Sequence, residues 1–414
     1  MSRSARIVLA LLAGLVGGIA LAAGGVPASA PPLVALGLVG DLWLNALRMT
    51  VLPLLVGLLV TGIASTRDTA ASGRLAGRSI TLFAIFALGS AILAALVMPA
   101  LLGLWPVKPE SRAALLAGAR AEAPPPDLPL REWFAGVVPT NPFAAAAEGA
   151  ILPLVVFTLL FALAVARLEP TVRAPLLGFF QAVVDAMLIV VDWVLWAAPA
   201  GIFALALGVG MQGGLAAAGG ITQYLIMMCG VAILVTLAMY PIAVIFGRVP
   251  LRRFAPAIAP AQTVAFSTQS SLASLPAMLT AAQSALGIPA RVTGIVLPLA
   301  VAIFKGTSPA VNLAVVIFVA HVSGVDLDPL RIALGVVVAF LTSFGVAGIP
   351  GQVSFLTTTV PISGVMGVPT ELLLLLIAVE VIPDIFRTVG NVTADLTVAS
   401  IIAARDVPLP PVKH

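Results

Sequence analysis

The sequence predicts an all-α integral membrane protein. Three observations carry the prediction: 61% of the 414 residues are hydrophobic, only 9% are charged, and apolar runs recur from one end to the other. At a mean hydropathy of +1.16, no water-soluble fold has enough polar surface to cover such a chain. Ile7–Ala23, Leu82–Leu102, Leu152–Val165 and Ile221–Val244 are examples of these runs. A spanning helix needs about 20 such residues, and about eight spans are expected in all.

Taken in order, the first run comes after Arg3 and Arg6 in the manner of a secretion signal, but the rest of the chain is equally apolar, so it reads as a first transmembrane helix. With a cytoplasmic N-terminus, Arg3, Arg6, Arg67, Arg74, Arg78, Arg167, Arg173, Arg248, Arg252, Arg253, Arg291, Arg405 and Lys413 fall inside. Only Lys108, Arg112, Arg120, Arg131 and Arg331 fall outside, among acidic residues. The positive-inside rule therefore places both termini in the cytoplasm, and a cell inner (plasma) membrane is the expected location. Val107–Leu130, with Ala123-Pro124-Pro125-Pro126, reads as an external loop. The single Cys229 and the separated His321 and His414 leave no disulfide, metal set or Ser/His/Asp array, which argues against a membrane hydrolase. The net charge of +4 is scattered over loops with no aromatic-basic stripe, so no nucleic acid partner is expected.

Two later regions, Ala255–Pro289 and Leu330–Pro369, are broken by polar or Gly/Pro-rich centres, Ser267 to Pro276 and Ser343 to Gly351. Each is read as entering the membrane and returning, with a kinked helix as the alternative. Non-helical backbone at membrane depth survives only inside protein or along a cavity, and a pair of interrupted segments points to a transport site. Between them, Leu297–Val322 is interrupted by Phe304-Lys305-Gly306-Thr307-Ser308-Pro309. Lys305 lies too far from either end to reach the interface and needs a buried anion.

The final segment, Glu371–Ala404, carries Glu380, Asp384, Arg387, Asn391 and Asp395 at offsets of four, three, four and four, which places them on one helical face. Ionisable groups inside a span are costly and face a cavity or a partner charge. An Asp384–Arg387 tether is the plainer reading. A guanidinium there suits a carboxylate, and an aspartate one turn away suits an ammonium.

These residues resemble the dicarboxylate/amino acid:cation symporter family, the glutamate-transporter homologues. The resemblance covers nearly the whole chain through Leu47-Arg48-Met49, Pro139-Thr140-Asn141-Pro142-Phe143, the serine-rich hairpin, Ala347-Gly348-Ile349-Pro350-Gly351 and the run from Asp384 to Asp395. It implies a homotrimeric elevator-type transporter, with eight transmembrane helices and two re-entrant hairpins. Residues 1–72 (spans 1 and 2) and 134–209 (spans 4 and 5) would form the scaffold, and 73–133 span 3 of the transport domain with the external loop. Residues 210–414 would form the rest of that domain: span 6, hairpin 1 at about 255–289, broken span 7 at about 291–323, hairpin 2 at about 330–369 and span 8 at about 370–404. The implied substrate is a small anion such as aspartate, glutamate or a dicarboxylate, with no cofactor, metal or enzymatic activity. Its side-chain carboxylate would meet Arg387 and Thr307, its amine Asp384, and its main carboxylate Asn391 with the backbone at Ser270 and Ser271, Thr388 supporting. Gly348, Ile349, Pro350 and Gly351 would be the gate.

The departures bear on coupling. Where sodium-coupled members read Asn-Met-Asp-Gly-Thr, this chain has Ile303, Phe304, Lys305, Gly306 and Thr307, and Phe86, Gly89 and Ser90 stand in the places of a tyrosine and a Thr-Ser pair. Val346, Val353 and Gln269 replace a threonine, a glycine and an arginine. An ammonium near Asp395 would fill the position of sodium and spare that carboxylate from unpaired burial. Sodium-independent transport or exchange is therefore expected, with Lys305, Asp395 and Glu380 as the cation-surrogate group. The alternative is proton coupling through Asp395, Glu380 or Lys305, or residual sodium coupling; an enzyme or a channel is the more distant one.

Overall fold

The computed structural model describes residues 3–71, 74–119, 138–148, 151–344 and 351–406, and every regular element among them is helical. In order these are α1 (Arg3–Ala23), α2 (Pro31–Ala71), α3 (Arg74–Leu104), α4 (Pro109–Ala119), α5 (Pro142–Ala147), α6 (Ile151–Val165), α7 (Pro170–Trp196) and α8 (Ala198–Ile245). After them come α9 (Leu251–Thr268), α10 (Ser271–Thr280), a π-helical turn at Ala281–Ala285, α11 (Ala290–Ile303), α12 (Ser308–Ser323), α13 (Pro329–Thr342), α14 (Gly351–Met366), α15 (Glu371–Leu376) and α16 (Val381–Asp406). Among the described residues, four stretches are long and apolar enough to cross a membrane: Leu75–Leu104, Pro170–Trp196, Gly214–Ile245 and Ala290–Ser323. Shorter apolar helices, such as Pro329–Thr342 and Ser354–Met366, accompany them.

α12 forms the core. All of its residues except His321 are buried, which is why the segment is apolar on every side rather than along one stripe. α3, α13, α14 and the second half of α8 pack around it. α8 is two helices that meet at Gly214, whose φ of 54° and ψ of −138° suit a residue without Cβ. Its first half lies on α1, and its second half lies on α16. α2 packs on α6 and α7, and the Trp43 indole donates to the carbonyl of Val194 at 2.9 Å.

α9 and α10 fold back on each other as a hairpin through Gln269, which has a left-handed φ of 53°, and Ser270, whose hydroxyl accepts from the Ala273 amide as the N-cap of α10. Arg253 donates to the carbonyl of Ala285 at 2.9 Å and closes the base. α13 and α14 pack together as a second pair. Gly348, Ile349 and Pro350, the expected gate, lie with Val346 outside the described residues, and Gly351 opens α14.

Candidate functional site

The site is built where α16 crosses the gap between α11 and α12. α11 ends at Phe304, which turns extended at φ −116° and ψ 136°, and α12 restarts at Ser308. Pro309 falls in the first turn of α12, where its missing amide hydrogen costs nothing. α16 presses on this gap. A Cβ on Gly306 would sit 2.6 Å from the Ala394 Cβ, and one on Gly390 would sit 2.6 Å from the Thr236 hydroxyl and run into that of Thr307. The Thr307 amide, left unpaired by the break, donates to Asn391 Oδ1 at 2.9 Å. Phe304 is held from the other side by Phe83, with ring centroids 4.5 Å apart.

The start of α16 positions the guanidinium. Pro383 cannot extend a helix backwards because its ring collides with the carbonyl four residues earlier. The chain accordingly leaves α15 at Leu376, passes through turns at 377–380, and restarts at Val381. The single helical face expected from Glu380 to Asp395 is corrected here: Glu380 sits in the turn, beneath Arg387. One oxygen of Glu380, Oε1, accepts from Arg387 Nη2, and the other accepts from the Tyr224 hydroxyl at 3.0 Å. Asp384 stands farther off, with Oδ1 3.7 Å from Arg387 Nη1. The Asp384–Arg387 tether of the plainer reading is thus the looser of two ion pairs.

Arg387 is only 2% exposed, yet its Nε and Nη1 have no hydrogen-bond partner, and the same holds for Thr307 Oγ1 and Ser271 Oγ. A buried donor without a partner costs about 1–3 kcal/mol, and more when charged. Buried polar groups of this kind are ordinarily completed by a partner, a water or a ligand. Gly351 borders the same spot, since a Cβ there would run into the Asp384 carboxylate. Thr388 returns its hydroxyl to the Asp384 carbonyl at 2.8 Å. Ser270 is committed to capping α10, and among the described residues no hydrogen bond joins Ser270 or Ser271 to Arg387 or Asp384.

Farther along α16, Asp395 is fully buried and neither carboxylate oxygen has a hydrogen-bond partner. The charge that acts on it is the ammonium of Lys305, which also acts on Asp384. Among the described residues no ion pair within 4.0 Å joins Lys305 to either carboxylate. Glu380 is not part of this group, because its partners are Arg387 and Tyr224. Phe86, Gly89 and Ser90 line an apolar cleft between α3, α8 and α16, and Ser90 returns its hydroxyl to the Ala87 carbonyl. Sequence reasoning missed Tyr224 and Phe83. A tyrosine within an apolar run is a usable signal, since its buried hydroxyl needs a partner.

An all-helical fold of apolar segments, broken at mid-length around a charged, ligand-completing crossing, is that of a multi-pass membrane transporter. The profile described as "Sodium:dicarboxylate symporter family" matches residues 4–405, and the chain belongs to that family. It is similar to the proton/sodium-glutamate symport protein of Bacillus subtilis, at 30% identity over 378 residues covering 88% of this chain and 85% of the relative. The proton/glutamate-aspartate symporter of Escherichia coli is 26% identical over 375 residues, covering 88% and 84%. The human neutral amino acid transporter B(0) is 30% identical over 433 residues, covering 95% and 78%.

Proposed function

We propose that the protein is a secondary transporter or exchanger of acidic amino acids or C4 dicarboxylates that works as a homotrimeric elevator without sodium. The observation that carries the substrate class is the buried Arg387 guanidinium with two unpartnered nitrogens beside Asp384 and Thr307. In this reading Arg387 and Thr307 take a carboxylate of the substrate, Asp384 its amine where it has one, and Asn391, Ser270, Ser271 and Thr388 frame the remainder. The family places relatives named for glutamate and for neutral amino acids side by side, and a buried, incompletely paired guanidinium favours the acidic class. Gly348 to Gly351 are the proposed gate.

Packing supports the division into two bodies. α3, far from α11 to α16 in sequence, packs on α11, α12, α13 and α16, whereas α2 packs chiefly on α6, α7 and α8. The Gly214 kink in α8 lies near the proposed boundary at 209 and 210. Lys305, acting on Asp395 where a coupling ion is otherwise expected, supports independence from sodium. Proton symport is the second reading. It is favoured by the two unpartnered oxygens of Asp395 and by relatives named as proton symporters.

The test is radiolabelled aspartate uptake into vesicles preloaded with unlabelled aspartate, in sodium-free and potassium-free medium with pH balanced across the membrane. Robust exchange is expected. A strict requirement for external sodium refutes the role given to Lys305, and competition by neutral amino acids but not by succinate or glutamate refutes the substrate class.

A further inference from the structure

The cleft between α3, α8 and α16 lies apart from the Arg387 site and has a volume of about 450 Å³. Its α3 wall runs from Leu82 to Leu93 and its α8 wall from Val235 to Phe246. Each wall spans a helical rise of roughly 16 Å, about half of the ~30 Å hydrocarbon core and so the depth of one leaflet. Because α3 and α8 run in opposite directions here, Leu82 and Phe246 lie at one end, and there Ile401 and Arg405 of α16 complete the lining. The lining is apolar apart from Ser90, whose hydroxyl is already bonded, and Arg405. The Arg405 side chain is exposed, and among the described residues it has no ion-pair partner. Arg78, one turn before Leu82, and Arg248, two residues after Phe246, are exposed near the same end.

We infer that this cleft is a binding site for one anionic phospholipid of the leaflet at the Arg405 end, with an acyl chain between α3 and α8 and the headgroup phosphate on Arg405. An apolar channel of single-leaflet depth suits an acyl chain, and a guanidinium at its mouth suits phosphate in a bidentate contact. Basic pockets between membrane helices select anionic headgroups by this combination. A zwitterionic lipid brings its own cation next to its phosphate and gains less from the Arg405 guanidinium. The bound lipid would join α3 to the end of α16, the helix that carries Arg387 and Asp395.

The test uses the full chain in phosphatidylcholine vesicles carrying a trace of phospholipid with a photoactivatable acyl chain, bearing either a phosphatidylglycerol or a phosphatidylcholine headgroup. Adducts are mapped by peptide mass spectrometry. The phosphatidylglycerol probe is expected to label residues 82–93 and 235–246 at least about fivefold more than the phosphatidylcholine probe, the factor that one arginine supplies near a membrane surface. Arg405→Gln should abolish that preference and Arg405→Lys should retain most of it, while Ile85→Trp, which fills the cleft, should lower labelling by both probes. Equal labelling by the two headgroups overturns the inference, as does a preference that survives Arg405→Gln. Labelling that appears only after removal of residues 407–414 also overturns it, by assigning the cleft to the chain's own tail.

Discussion

Truncating Arg387 to alanine separates what the guanidinium does for folding from what it does for substrate. In the structure its Nη2 is bonded to Glu380, a fully buried carboxylate whose other partner is Tyr224. The single variant leaves that charge with one hydroxyl, and breaking a buried pair from one side costs about 3–5 kcal/mol. A combined Arg387→Ala, Glu380→Gln variant removes both charges and should recover most of that loss, because no uncompensated ion remains. Substrate binding should behave differently. Loss of the contact to a substrate carboxylate is expected to cost about 2–5 kcal/mol, roughly thirtyfold to several thousandfold in affinity, in the single and the double variant alike. Thermal unfolding of the purified protein reads the first quantity, and a radiolabelled aspartate binding assay at a temperature where both variants are folded reads the second. Unchanged aspartate affinity in the folded double variant would sink the assignment of Arg387 to the substrate.

Asp384→Asn should weaken aspartate binding at least tenfold more than succinate binding, as read by competition; equal loss would mean that Asp384 serves only to steady Arg387. Tyr224→Phe removes a bond to a buried carboxylate and should destabilise by about 1–3 kcal/mol in thermal unfolding. A melting temperature equal to that of the parent would contradict the Tyr224–Glu380 bond. Gly306→Ala places a methyl 2.6 Å from Ala394 Cβ and should cost about 1–3 kcal/mol in thermal unfolding; an unchanged melting temperature would contradict a tight crossing. Lys305→Met should sharply lower transport by leaving Asp395 without its opposing charge, and wild-type exchange rates in that variant would remove Lys305 from the mechanism.

Much of this was legible in the sequence because the signals are local. The break at Lys305-Gly306-Thr307 is written in the glycine and in Pro309, and the turn of the first hairpin in a serine cluster whose member Ser270 caps the next helix. The wholly buried α12 is written in a run that is apolar on all sides. What periodicity missed was tertiary. A helical wheel puts Glu380 on the face of Asp384 and Arg387, but Pro383 ends the wheel and moves Glu380 to Arg387 and Tyr224, a residue 156 positions away. Likewise, nothing in the sequence pattern pointed to Phe83, whose ring stacks on Phe304 at the break. Side-chain partners set by helix packing have no period to read.

Charge counting around the crossing says how much cation the proposed cycle still requires. Glu380, Asp384 and Asp395 stand against Arg387 and Lys305, so the site carries one net negative charge when all are ionised. An aspartate at position 305, the residue that the family resemblance gives to sodium-coupled members, would make that three, and Lys305 therefore does the electrostatic work of two monovalent ions. The substrate adds one further negative charge if it is aspartate. Burying that increment in a low-dielectric crossing is costly unless a positive charge enters with it. Asp395, with both oxygens unpartnered, is the group able to take a proton and hold the net charge constant between the empty and loaded states. Uptake into sodium-free vesicles containing a pH-sensitive dye then separates the two readings. Lumenal acidification in step with aspartate entry, lost in Asp395→Asn while one-for-one exchange persists, assigns the compensating charge to a proton on Asp395. Net uptake at full rate into vesicles holding no aspartate, with no proton movement, leaves the added charge to be held by the fixed ammonium and backbone donors of the site.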